Sequence, residues 1–279
     1  MTRFKTAAAV VASALVMVGL TQPATSVTVT APPSARHEAS HEFDDAAYGS
    51  FATPSTAALR PLGSSRDYSL LFPAESDAPY ARWDPCKPIY WRVNPRWAPK
   101  GALADLRGAF ARVHAASGLT FVYRGTTTLV PGTAAYARAN TDGYIIVAWA
   151  PDGSTTLIPK SPRGLPRLMG RAGGVSTTRY GATDGKLYAT IDKAYVLLST
   201  SFPTLAGGFG WGNRYGWQGT RGLLDMHELG HAVGLDHARG KTQVMYPAAQ
   251  RMLANWGAGD LAGLRRVGTA AGCVPALAS

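Results

Sequence analysis

Charge is scarce in this sequence. Asp, Glu, Lys and Arg make up 16% of its 279 residues, while 46% are hydrophobic. That balance excludes wholesale disorder and allows a substantial core. Acidic residues are the scarcer sign, 17 against 28 Lys and Arg. The basic excess is scattered, in nothing denser than short pairs such as Arg265-Arg266. It reads as a solvated surface, and no nucleic-acid partner is expected. Long apolar runs are missing too. The one candidate, Ala7 to Leu20, is broken by Ser13; as a helix it covers about 21 Å, short of the roughly 30 Å of a bilayer core. No stable membrane anchor is expected, and no internal repeat is present. Cysteine is nearly absent: Cys86 and Cys273 are the two in the chain, enough for one disulfide at most.

What is present begins with that short run. Arg3 and Lys5 precede it, and the small residues Ala24 and Ser26 follow it. This is the pattern of an export signal, expected over residues 1–26 with cleavage after Ser26, and it predicts a secreted, extracellular protein. Removing it takes two cations away, leaving 26 − 17 = +9. An oxidising exterior lets the two cysteines pair. Residues 27–67 are rich in Ala, Ser, Thr and Pro, with charges around His37, Glu38, His41, Glu42, Asp44 and Asp45. No apolar period runs through them, so they read as a disordered linker or pro-segment, with the folded domain expected over residues 68–279.

Within that domain, Ile89 to Val93 reads as a strand ending at Asn94-Pro95. Ala102 to Ser117 reads as a helix, with Leu103, Leu106, Phe110 and Val113 on one face and Gly118 closing it. Its lone His114 reads as a surface or packing residue. Leu119 to Tyr123 and Tyr144 to Ala148 read as further strands. A longer strand is expected over Lys186 to Leu198, where Leu187, Ala189, Ile191 and Lys193 alternate with Tyr188, Thr190, Asp192 and Ala194. Helices are expected over Leu223 to Val233 and Gly259 to Val267. The fold class is α+β. Gly208-Phe209-Gly210 resembles a nucleotide-loop fragment, but no strand leads into it, and it reads as a surface loop.

Residues 227 to 237 carry the chemistry: His-Glu-Leu-Gly-His-Ala-Val-Gly-Leu-Asp-His. On a helix, His227 and His231 leave the same face and can grip one metal ion. Glu228 sits one step round. Gly234 lets the chain turn sharply, returning His237 as a third ligand. Three imidazoles suit one Zn²⁺ and leave its fourth position for water, whose pKa the metal lowers towards about 7. Glu228 is then placed to act as general base and acid. Beyond Ala115 the only histidines are these three, and the only glutamate is Glu228. A structural zinc would call for a fourth protein ligand and no general base.

The motif resembles that of the metzincin metalloproteases, His-Glu-x-x-His-x-x-Gly-x-x-His followed by a methionine turn. The methionine is Met245, and Met245-Tyr246-Pro247 is similar to the matrixin branch of small secreted bacterial type. The resemblance covers roughly residues 80 to 270. It implies a twisted mixed sheet with an active-site helix and a terminal helix, and a monomer hydrolysing extended peptides or proteins. In that arrangement Met245 floors the site, Tyr246 forms part of a pocket wall, Asp260 supports the methionine turn, and Leu168 to Gly173 is the edge strand that pairs with substrate. The start of the domain would lie near the terminal helix, which implies a Cys86–Cys273 disulfide; a zinc-capping Cys86 and two free thiols are the alternatives. The propeptide cysteine of vertebrate matrixins has no counterpart in residues 27–66, nor have the extra histidines of that family's structural zinc. Calcium sites are left unassigned. Two other functions fit the same residues: a zinc hydrolase of a non-protein substrate, and a secreted zinc-containing binding protein without turnover.

Overall fold

The computed structural model describes residues 9–16, 60–71, 80–161, 168–202, 205–211 and 219–277. Contacts divide the chain into residues 1–19 with 61–279, and residues 20–60. All described residues except Arg60 belong to the first unit. In chain order its elements are β1 (Ala9–Val16), β2 (Ser69–Leu70), β3 (Ile89–Asn94), α1 (Ala102–Ser117), β4 (Phe121–Thr126), α2 (Ala134–Arg138), β5 (Tyr144–Ala150), β6 (Leu168–Tyr180), β7 (Leu187–Ser199), α3 (Arg221–Ala232), β8 (Leu235–Asp236) and α4 (Ala258–Val267). Six strands form one mixed sheet in the order β1-β6-β7-β5-β3-β4. β3, β4, β5 and β7 run parallel, β6 is antiparallel to β7, and β1 is antiparallel to β6. The class is α+β.

The β-branched and aromatic residues of β3, β5 and β7 make one face of this sheet apolar, and α1 and α3 cover it. α1 buries Leu106, Ala109, Phe110 and Val113, an i, i+3, i+4, i+7 stripe; each large side chain contributes about 1.5–3 kcal/mol of transfer free energy. Gly118, at φ 74, ends the helix in the left-handed conformation while its N–H bonds His114 O at 2.7 Å. α1 and α3 meet around Phe209. A Cβ on Gly108 would stand 2.6 Å from that ring, and so would one on Gly222. Asp105 of α1 binds Arg221 of α3 at 2.8 Å and accepts from Gly208 N at 2.8 Å. The glycine-rich stretch is therefore a surface loop pinned between two helices.

Most expected elements recur with ends shifted by a few residues; the departures come from contacts distant in sequence. The expected alternation of the long strand breaks at Asp192, because Val175 pairs with Lys193 while Ser176 pairs with Ile191. That bulge reverses the parity: Ala189 and Ile191 face the core, and beyond it Ala194, Val196 and Leu198 do, not Lys193. Asp192 turns to Thr177 and Thr190, whose hydroxyls it accepts at 2.8 and 3.0 Å. Residues 9–16 of the expected export signal form strand β1 on β6, from Ala9↔Ser176 to Val16↔Leu168. The rest of that signal, its cleavage point and residues 27–59 lie outside the described residues.

Packed structure begins before Tyr68. Leu62 O accepts from Ala258 N at 2.8 Å, and the Asp67 carboxylate accepts from Arg239 N and Gly240 N, both at 2.9 Å. Cys86 and Cys273 form a disulfide with Cα atoms 5.3 Å apart. Asp84 Oδ1 accepts from Cys86 N at 3.1 Å and Val274 N at 3.2 Å, aligning the two segments that the bond joins. No helix of the described residues is long and apolar enough to cross a membrane.

Candidate metal centre

α3 begins at Thr220, whose hydroxyl accepts from Leu223 N at 3.2 Å and satisfies one free N–H of the first turn. One turn further on, His227 and His231 leave the same buried face. Gly234, at φ 113, takes the chain out of the helix in a conformation closed to other residues. β8 follows at once and pairs with β2, Leu235 with Leu70 and Asp236 with Ser69. This pairing returns His237 to the helix. His231 Nε2 then lies 3.2 Å from His227 Nε2 and 3.3 Å from His237 Nε2. Three nitrogens bound tetrahedrally to one ion at 2.0–2.1 Å would stand about 3.3–3.4 Å apart. Two of the three separations match that spacing and all three nitrogens lie within 4.8 Å of one another, so the imidazoles could hold one metal ion; they are the one such cluster among the described residues.

The opposite ring nitrogens settle which atoms face that ion. His227 Nδ1 stands 2.7 Å from Val244 O, and His231 Nδ1 stands 2.8 Å from Leu235 O. A carbonyl only accepts, so both Nδ1 atoms carry the proton and both Nε2 lone pairs are free. Charge state agrees. Burial, then the neighbouring imidazoles, holds His227 well below the ordinary histidine range, and burial first brings His231 down to about 3. His237, the more exposed of the three, is also lowered by burial. Neutral rings are the metal-binding form.

Glu228 is fully buried, and neither carboxylate oxygen has a hydrogen-bond partner among the described residues. Burial raises its pKa well above the usual carboxylate range, helped by Asp225 and opposed by Arg171. An unpaired buried carboxyl costs folding free energy, a cost typical of functional sites. Gly170 of β6 makes room for it: a Cβ there would stand 2.8 Å from Glu228 Cδ. Gly230 does the same for the methionine turn, since a Cβ on it would run into Met245 Sδ.

Met245 is buried beneath the histidines' helix, and its carbonyl accepts from Ala238 N at 2.9 Å, next to His237. Asp260, at the start of α4, holds the turn from below. Its carboxylate accepts from Val244 N at 2.6 Å, Met245 N at 3.2 Å and Gly257 N at 2.9 Å. Burial still outweighs these donors and places its pKa at about 6. Gln243 completes the joint, its Oε1 accepting from Gly259 N at 3.0 Å and Asp260 N at 3.1 Å. Tyr246 lines a narrow cavity of about 30 Å³ beside His227, together with Leu223, Val244, Ala248 and Met252.

The structure thus brings together His227, Glu228, His231, His237, Met245, Tyr246 and Asp260, while Cys86 is held in its disulfide. Sequence reasoning passed over Asp67, Gln243, Gly170 and Gly230. The glycines inside and opposite the histidine motif were a readable signal of close packing; Asp67 and Gln243 act across long separations and left none. No family model matches this chain, and a search of curated proteins finds no match either.

Proposed function

We propose that this chain is an exported, zinc-dependent endopeptidase of the metzincin type, resembling the matrixin branch. One observation carries the reading: three neutral imidazoles converge within 4.8 Å of one another, two of the three separations at the spacing of tetrahedral zinc ligands, next to a buried glutamate that has no hydrogen-bond partner among the described residues. Bound there, zinc would supply a Lewis acid that polarises a carbonyl and acidifies water. The remaining steps belong to the protein. His227, His231 and His237 would hold the ion through Nε2, with Val244 O and Leu235 O fixing the tautomers of the first two. Glu228, whose carboxylate oxygens have no hydrogen-bond partner among the described residues, takes the proton of the attacking water. It then passes that proton to the departing amine, so one group serves both transfers and the products are a carboxylic acid and an amine.

The peptide would lie extended along β6, pairing backbone to backbone. That edge already accepts an extended segment, since β1 pairs with it from Leu168 to Ser176. Cleavage after Ser26 would remove β1 and free the edge. The test uses the mature chain. It should carry about one zinc, and casein hydrolysis should stop when a strong chelator removes it. Glu228→Ala should retain the zinc and lose about 10² to 10⁴ of the rate, whereas His237→Ala should lose the metal. Hydrolysis that persists in fully metal-stripped protein would overturn the mechanism, and zinc binding without hydrolysis of any peptide would favour a binding protein.

A further inference from the structure

A second cavity lies beside α3, and nothing in the proposed chemistry uses it. It encloses about 140 Å³ between the start of α1, the end of β7 and α3. Trp97, Trp149, Phe202, Leu205 and Leu224 line it together with the polar Ser199, Thr200, Arg221 and Asp225. Asp225 is 2% exposed. Its carboxyl makes no hydrogen bond among the described residues, although the neighbouring Asp105 is fully engaged with Arg221 and Gly208. A buried carboxyl with no hydrogen bond among the described residues, facing a largely apolar space of this size, leaves a bond for an occupant to make.

We propose that this cavity binds a small, uncharged planar aromatic group carrying one O–H or N–H donor, of the phenol or indole kind. Size sets the first limit, because a cavity of about 150 Å³ lined by apolar side chains accommodates benzene. The walls set the second, since Trp97, Trp149 and Phe202 are three aromatic residues lining the space, and aromatic groups pack favourably against one another. Asp225 sets the third. Its carboxyl offers an acceptor oxygen whether ionised or protonated, so recognition of a donor does not depend on its charge. The aromatic group belongs to a free small molecule or to a Tyr or Trp side chain, and the two sources share this chemistry. Leu205 and Leu224 also line the cavity beside His227. An occupant therefore presses on a wall of the proposed substrate site, a consequence that rests on the peptidase reading.

The binding test is calorimetric and independent of catalysis, with the zinc-loaded mature chain titrated with p-cresol, with toluene, and with N-acetyl-tyrosinamide. Saturable one-to-one binding of p-cresol is expected, about tenfold tighter than toluene, the difference being the hydrogen bond. N-acetyl-tyrosinamide binding as well as p-cresol would assign the site to a side chain, and p-cresol alone to a free small molecule. Asp225→Leu should equalise p-cresol and toluene. Ala102→Leu, which adds side-chain volume at the cavity wall and leaves Asp225 in the chain, should abolish binding of both. No saturable binding of any of the three, equal affinity for p-cresol and toluene in the unaltered chain, or p-cresol binding untouched by Ala102→Leu would each overturn the proposal. A separate readout, a p-cresol-dependent rise in KM for a cleaved peptide that Ala102→Leu removes, tests the shared wall. Failure of this readout with binding intact would remove only that consequence, and absence of any peptide hydrolysis would instead remove the peptidase reading.

Discussion

Asp260→Asn tests whether the metal centre is built from below. The carboxylate satisfies three backbone N–H groups, two through Oδ2 and one through Oδ1. An asparagine in the same rotamer keeps one oxygen. Placed towards Val244 N and Gly257 N, it turns its NH₂ towards Met245 N, leaving donor against donor. Two charge-assisted bonds become neutral ones, and one buried N–H loses its acceptor. The first change costs about 0.5–1.5 kcal/mol per bond and the second about 1–3 kcal/mol, so a loss of about 2–6 kcal/mol is expected. The effect should also reach the metal, because Val244 O accepts from His227 Nδ1 at 2.7 Å. Losing such an orienting partner typically costs about 10- to 100-fold in metal affinity. Urea unfolding of the metal-free protein reads the first quantity, and zinc competition against a chromogenic chelator reads the second. Unchanged stability together with unchanged zinc affinity would refute the idea that Asp260 holds the turn.

Replacing both Cys86 and Cys273 with Ser removes a cross-link spanning 187 residues of sequence; a loss of about 2–5 kcal/mol is expected by denaturant unfolding, and a change under about 0.5 kcal/mol would show that the bond does not constrain the unfolded chain. Acid should weaken the metal-free protein through its histidines. His231 is fully buried, with its pKa lowered from 6.5 to about 3. Between those values the unfolded chain binds the extra proton, so this contribution is complete above pH 6.5 and is lost as pH falls towards 3. At pH 4 the loss is about 3 kcal/mol, at 1.36 kcal/mol per unit. Asp260, raised to about 6, works in the opposite sense, so the quantity to measure is the difference between the unaltered chain and His231→Gln, each unfolded in urea at pH 7.5 and pH 4. Equal pH dependence in the two would contradict a buried neutral His231.

Much of the metal centre was legible because it is local. His227 and His231 are one helical turn apart and His237 follows within six residues, so helix geometry and one glycine suffice to bring the rings together. The same holds for α1, whose apolar stripe and closing Gly118 lie within one element. What the chain alone did not disclose is non-local. The parity of β7 reverses at Asp192 because β6 pairs around an extra residue, and a bulge is a property of two strands, not of one. Asp67 reaches Arg239 N across 172 residues, and no periodicity in either segment announces a carboxylate bonded to a distant backbone. Asp225 is one polar residue of α3; only the packing of α1, β7 and α3 around it leaves it facing a cavity. Helical spacing determined which side chains could share a metal ion. Long-range strand pairing and side-chain packing decided what orients those ligands, and which buried polar group is left without a partner.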